Sequence, residues 1–187
     1  MRRFAAVLVV LIVLLTACKG ERDDDGSDSP RRKKATSSAT NGPAAPASAV
    51  TAASVTLDPS QGALPALLKA EAAKARAMHL APYAEFRADW CGPCRAIEKS
   101  MDDPRMIAAF AGTYVAHLDV DAWGSAQTSA AGFDASAIPV FFELDADGKP
   151  TGRKIDGGAW GDNVPENMAP PLAAFFHPKG AAAPPPF

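Results

Sequence analysis

Pro82-Tyr83-Ala84-Glu85-Phe86-Arg87-Ala88-Asp89-Trp90-Cys91-Gly92-Pro93-Cys94-Arg95 is the stretch on which the fold turns. Its first seven residues read as a strand. Side chains alternate along an extended chain, so Tyr83, Glu85 and Arg87 fall on one face and Ala84, Phe86 and Ala88 on the other. A helix is expected to begin just past Cys91, with Pro93 suiting its first turn, and to run to about residue 101. A cysteine at the head of a helix meets unpaired backbone N–H groups and the positive end of the helix dipole, which stabilise a thiolate. Lowering a thiol pKa from about 8.5 to about 7 raises the thiolate from a few per cent to half at neutral pH. Cys91 is therefore the candidate nucleophile. Cys94, one turn into the helix, is expected to be less exposed and to resolve a mixed disulfide on Cys91 by intramolecular attack. Pro93 fixes the turn, and Gly92 leaves space for a substrate backbone.

Upstream, Leu64, Leu67, Leu68, Ala72, Ala75 and Met78 recur at helical spacing and predict a helix over 60–79. Downstream, Asp102-Asp103-Pro104 breaks and restarts the helix, giving a short one over 105–111 that Gly112 ends. A strand over 113–120, a weak helix near 125–131 and a strand over 139–144 follow. Asp145-Ala146-Asp147-Gly148-Lys149 has hairpin chemistry and leads to a short strand over 152–156. Pro170-Pro171 permits a final helix with Leu172, Phe175 and Phe176 on its apolar face. This order predicts an α/β domain: a mixed sheet of about four strands, part parallel and part antiparallel, with helices on both faces.

Ala88-Asp89-Trp90-Cys91-Gly92-Pro93-Cys94-Arg95 resembles the active site of the thioredoxin family, and Ile138-Pro139 ahead of a strand matches that family's second landmark. The resemblance spans about 82–176. It implies a thioredoxin fold, a redox disulfide between Cys91 and Cys94, and a cis Ile138-Pro139 bond facing the cysteines. The Ile138 backbone would then pair with an extended substrate segment, and Trp90 would pack beside the site. Glu85, six residues before Cys91, stands where thioredoxins typically carry a buried Asp; buried there, it would take and return the Cys94 proton. His117 stands where many thioredoxins place a Lys near that acid, so it is a candidate tuning partner for Glu85. Glu98, on the helix face of both cysteines, is a second tuning candidate. Phe86-Arg87-Ala88-Asp89-Trp90-Cys91, Ile97-Glu98-Lys99 and Asp103-Pro104 resemble the carboxyl-terminal domain of DsbD-type transmembrane reductant conductors more than cytosolic thioredoxin. The Gly92-Pro93 dipeptide departs from that domain and is thioredoxin-like. A C-x-x-C is also half of a zinc site, but no second C-x-x-C or Cys/His pair stands at ligand spacing. No metal and no cofactor is expected.

The 187 residues are 48% hydrophobic but only 7% aromatic, and no aromatic residue lies between Phe4 and Tyr83. The stretch 19–56 is mainly Ala, Ser, Thr, Pro, Gly and charge, and cannot bury enough apolar surface to offset the entropy of ordering it. The expected folded part is 57–177, followed by a disordered tail over 178–187. Residues 57–187 carry 11 basic and 16 acidic side chains, net -5, which argues against nucleic acid as a partner.

The chain starts Met1-Arg2-Arg3 and continues uncharged from Phe4 to Cys18, the layout of an export signal over 1–17. At 15 residues the uncharged run is short for a span, which needs about 20. Leu15-Thr16-Ala17-Cys18 resembles the bacterial lipoprotein lipobox, which implies lipidation of Cys18 and a tether over 18–56. Removing Cys18 from the cysteine count leaves Cys91 and Cys94 as one pair. A disulfide closing four residues constrains little of the unfolded chain, so redox chemistry explains the pair better than a structural staple.

The expected protein is a monomeric thiol–disulfide oxidoreductase of the bacterial cell envelope. Its lipid anchor sits in the inner or outer membrane, and it reduces protein disulfides at the expense of an upstream thiol reductant such as a membrane electron conductor. An oxidase or isomerase, a cytochrome c maturation factor of the same fold, and a tethered binding module or chaperone regulated by its C-x-x-C remain open alternatives.

Overall fold

In the computed structural model, which describes residues 52–179, strand β2 (Ala81–Arg87) is the middle strand of five. The expected export signal, Cys18 and nearly all of the tether lie outside the described residues, as does the tail from residue 180. Among the described residues no helix is long and apolar enough to cross a membrane.

The sheet order is β1-β3-β2-β4-β5, from β1 (Ala53–Leu57), β3 (Thr113–Asp119), β2, β4 (Val140–Leu144) and β5 (Pro150–Asp156). The first three are mutually parallel, β4 runs antiparallel to β2, and β5 antiparallel to β4. The mixed sheet is as expected, but it has five strands rather than about four. The addition is β1, which pairs with β3 from Ala53↔Tyr114 to Leu57↔Leu118. Residues 53–56, read as tether, thus belong to a strand.

Helices cover both faces. On one, α2 (Gly92–Lys99), α3 (Pro104–Phe110) and α5 (Pro165–Phe176) enclose Tyr83, Val115 and Phe141 of the sheet with Ile97, Met106, Phe110, Leu172 and Phe176. On the other, α1 (Leu64–Ala77) and α4 (Val120–Ala130) enclose Ala84, Phe86, Ala116, Val140 and Phe142 with Leu64, Leu68 and Trp123. Strand β2 is therefore buried on both faces, as the central strand of a covered sheet must be.

Some boundaries differ from expectation, two of them for a local reason that the structure shows. The helix expected over 60–79 is shorter, because a 3-10 turn capped by Asp58 (Pro59–Gln61) precedes it and Gly62, at φ 143, breaks the path into α1. Helix α4 starts early, at Val120, because the Asp119 carboxylate accepts from the N–H groups of Asp121 and Ala122, and it kinks at Gly124 (φ 66). Strand β5 starts at Pro150, two residues before the expected short strand. Helix α5 begins at Pro165, a favourable first-turn position, and carries Pro170 and Pro171 within it.

Candidate active site

The end of β2 delivers the cysteines. Ala88 is fully buried, and its carbonyl accepts from the Cys91 N–H at 3.1 Å, which turns the chain from the strand toward α2. Cys91 caps α2 with extended backbone (φ -71, ψ 107), and its Sγ accepts from the Cys94 N–H at 3.2 Å. Cys91 and Cys94 form a disulfide with S–S 2.02 Å. Their exposures are 3% and 2%, so in this oxidised form the expected greater exposure of Cys91 is absent. Pro93 stands in the first turn of α2 and gives up a backbone donor that needs no partner there.

Across from the sulfurs, Ile138 and Val120 pack against the Ala88, Cys91 and Cys94 cluster. The Ile138-Pro139 bond is cis, the isomer that the resemblance implies. Pro139 is buried, and its carbonyl accepts from the Gly157 N–H at 3.1 Å. Ile138 precedes β4, and its backbone lies outside both ladders of that strand.

Trp90 lies beside the site, exposed rather than packed. Its side chain is 63% exposed, and Nε1 donates to Asp121 Oδ2 at 2.7 Å. Phe86, Trp90, Gly124, Ser125, Ala137 and Ile138 line a groove of about 440 Å³ beside the disulfide. A Cβ built on Gly92 would meet nothing within 4 Å, so that glycine faces open space. Trp123 and Trp160 are core residues.

Beneath the cysteines, Glu85 is 3% exposed. It is the direct register partner of His117 across β2 and β3, and His117 Nδ1 lies 2.5 Å from Glu85 Oε2. Glu85, Arg87, Cys94, Ile97, Glu98 and His117 line one cavity of about 470 Å³. Glu98 shares the helix face of Cys94 as expected, but its exposed carboxylate pairs with Arg87 Nη2 at 2.8 Å rather than with sulfur. Burial works against the Arg87 charge. The Glu98 hydrogen bond and the charges of Glu85, Glu98 and Asp89 outweigh it and hold the guanidinium charged even more firmly than usual.

Sequence reading missed Arg87, Val120 and Asp121 as parts of the site. Arg87 carried a signal, since it shares the alternating face of Glu85. Asp121 carried no such signal, because its bond to Trp90 spans 31 residues and leaves no local trace. His117 and Glu85 are brought together as expected.

No protein-family model matches the chain, and no curated protein does. Among solved structures the chain is similar to a disulphide isomerase from Xylella fastidiosa Temecula1, at 26% identity over 59% of this chain and 86% of that one, with TM-score 0.43. It is also similar to Trichomonas vaginalis thioredoxin, at 24% identity over 55% and 83% of the two chains and TM-score 0.39. A third is thioredoxin NaTrxh from Nicotiana alata, at 21% identity over 56% and 81% and TM-score 0.38. These likenesses are modest, and the assignment rests on the strand order and the site geometry. With its C-x-x-C at the head of α2, a cis proline before β4 and a mixed sheet ordered β1-β3-β2-β4-β5, the described domain has the thioredoxin fold.

Proposed function

We propose that the chain is a thiol–disulfide oxidoreductase that reduces protein disulfides, held by a lipidated Cys18 on a membrane of the bacterial cell envelope. The observation that carries the reading is the Cys91–Cys94 disulfide at the head of α2, packed against Ile138. A structural staple of this spacing would add little stability, whereas a helix start favours the thiolate that exchange chemistry requires.

Reduction proceeds in two displacements. The Cys91 thiolate attacks one sulfur of a substrate disulfide, forming a mixed disulfide and expelling the other sulfur as thiolate. Cys94 gives its proton to Glu85 and attacks Cys91 Sγ, which closes the intramolecular disulfide and expels the second substrate sulfur. Two electrons pass from the dithiol to the substrate, and an upstream thiol reductant returns them. Ile138 and the groove beside Trp90 hold the substrate segment, while Gly92 and Pro93 keep the approach to Cys91 open. Gly-Pro between the cysteines and the acidic charge of the domain support a reducing role without nucleic acid. The lipobox-like Leu15-Thr16-Ala17-Cys18 supports the anchor.

Insulin reduction in the presence of dithiothreitol tests the chemistry. Cys91→Ser is expected to reduce insulin no faster than dithiothreitol alone, and retained activity overturns the mechanism. Cys94→Ser is expected to accumulate mixed disulfides that identify the substrates. Metabolic labelling with a fatty acid tests the anchor, with label expected on the intact chain and none on Cys18→Ser.

A further inference from the structure

The groove beside the disulfide is lined without a single charged side chain, but its rim is acidic. Phe86, Val120 and Ile138 give it apolar walls, while Gly124, Ser125 and Ala137 leave it wide enough for a long side chain. At the rim stands the exposed Trp90, whose Nε1–H occupies Asp121 Oδ2. Asp121 Oδ1 has no hydrogen-bond partner among the described residues. Asp89 directly precedes Trp90, and Asp119 caps the helix that carries Asp121.

None of these three carboxylates belongs to an ion pair among the described residues. The nearby cations are engaged elsewhere: Arg87 pairs with Glu98, Lys154 reaches Asp134, and Arg95 donates to the Asp89 carbonyl. Residues 106–148, which supply most of the groove lining, contain six carboxylates and no Lys or Arg. The groove therefore lacks a positive partner, and a substrate segment can bring one.

The chemistry of the rim says which. An indole attracts a cation over its face, and a carboxylate held at Nε1 adds charge of the same sign beside it. Arginine suits this pair best. Its planar guanidinium stacks on an aromatic ring and donates to a carboxylate at the same time, and its apolar stem can lie along Ile138. An acidic segment would instead meet three carboxylates at close range.

We infer that the groove selects substrate disulfides flanked by basic residues, arginine above all, with the guanidinium on the Trp90 face and on Asp121 Oδ1. The selection rests on the exchange chemistry proposed for the site and names the substrate class for it. Trp90 and Asp121 touch the substrate segment and not the reacting sulfurs, so they set specificity.

Peptides Gly-X-Cys-X-Gly, with X as Arg, Gln or Glu and the cysteine joined to thionitrobenzoate, test this with one common leaving group. The Cys91 thiolate of the reduced full chain attacks the peptide sulfur and expels thionitrobenzoate, leaving a peptide disulfide on Cys91 that Cys94 opens. Each rate is divided by that of mercaptoethanol with the same peptide, which removes the effect of X on the disulfide itself. At low salt the Arg peptide is expected to react about tenfold faster than the Gln peptide, the order of one cation–π contact plus one exposed ion pair. The Glu peptide is expected to be the slowest, and high salt to narrow the spread.

Asp121→Asn keeps an acceptor for Trp90 Nε1 and removes only the charge. Trp90→Leu keeps apolar bulk and removes the aromatic face. Both side chains are exposed, and the Gln peptide reports in each variant whether Cys91 is still reached. Each variant is expected to cut the Arg-to-Gln ratio at least about threefold. Equal normalised rates for the three peptides overturn the inference. So does an Arg preference that either variant leaves unchanged, since the cation is then held elsewhere. Neither result touches the exchange chemistry, which fails instead if Cys91→Ser still releases thionitrobenzoate from every peptide.

Discussion

Trp90 Nε1 donates to Asp121 Oδ2 at 2.7 Å, so the most exposed large hydrophobic side chain of the described domain is fixed by a carboxylate from another element. The indole stands over the groove beside the disulfide, held in place while its ring stays open to a partner. Asp121→Ala removes that hydrogen bond and a favourable charge from the first turn of α4. It is expected to lower stability by about 1 kcal/mol. Trp123 and Trp160 are buried, so acrylamide quenching reads Trp90 selectively and is expected to rise in the variant. The KM for a protein disulfide is expected to rise with it, because the ring then loses more motional freedom on binding.

Gly148 is fixed twice over. It sits at φ +75 in the β4–β5 turn, and a Cβ there would lie 2.4 Å from the Leu68 backbone carbon of α1. The turn is drawn close by Lys69 Nζ on Asp147 Oδ1 at 2.8 Å and by Arg76 Nη1 on the Ala146 carbonyl at 2.6 Å. Gly148→Ala must therefore move backbone against backbone, and is expected to cost about 2–4 kcal/mol. Urea unfolding checks the cost, and the folded fraction is expected to keep its rate of insulin reduction, since the turn lies away from the cysteines.

How legible such features are depends on how local their causes are. The dithiol, its helix and the hairpin were readable because spacing and turn chemistry act over a few residues. Strand β1 was not, because Ala53-Ser54-Val55-Thr56-Leu57 becomes a strand only by pairing with Tyr114–Leu118, some sixty residues on. Glu85 could be placed on a face by alternation, but not inside or outside, since β2 is covered on both sides. Glu98 was correctly placed on the helix face of the cysteines. Helical spacing fixes where a side chain leaves the helix but not its far end, and Arg87 captures that carboxylate.

Glu71 makes part of the fold's stability depend on acid. Burial alone would raise its pKa, but the hydrogen bonds from Lys74 Nζ and Tyr114 Oη, both at 2.6 Å, outweigh burial and hold it below its ordinary 4.5. The unfolded chain then binds more protons than the folded one as pH drops through this range. The Glu71 contribution is therefore complete above about pH 4.5 and is lost as pH falls through the lower folded-state value. Tyr114→Phe removes one of the two hydrogen bonds from a buried carboxylate, and is expected to cost about 1–3 kcal/mol at neutral pH. Because the folded pKa then moves back toward the ordinary value, urea midpoints measured against pH are expected to show a shallower acid limb in the variant. An unchanged limb would mean that Lys74 alone sets the Glu71 charge.

Under the proposed function, Gly92 separates the demands of folding from those of substrate approach. Its φ lies outside the left-handed region, and a Cβ would meet nothing within 4 Å, so the fold itself has no need of a glycine there. Gly92→Ala restricts the unfolded chain at a helical position and is expected to stabilise the protein by about 0.4–1 kcal/mol. The added methyl would occupy the space through which a substrate backbone reaches Cys91. The kcat/KM for insulin is expected to fall several-fold while the rate at which Cys91 of the reduced chain reacts with dithiobis(nitrobenzoate), which brings no peptide backbone, changes little. A variant more stable than the parent yet slower only on protein disulfides would place the reason for this glycine in the complex, not in the free domain; equal slowing on both reagents would place it in the reactivity of Cys91 itself.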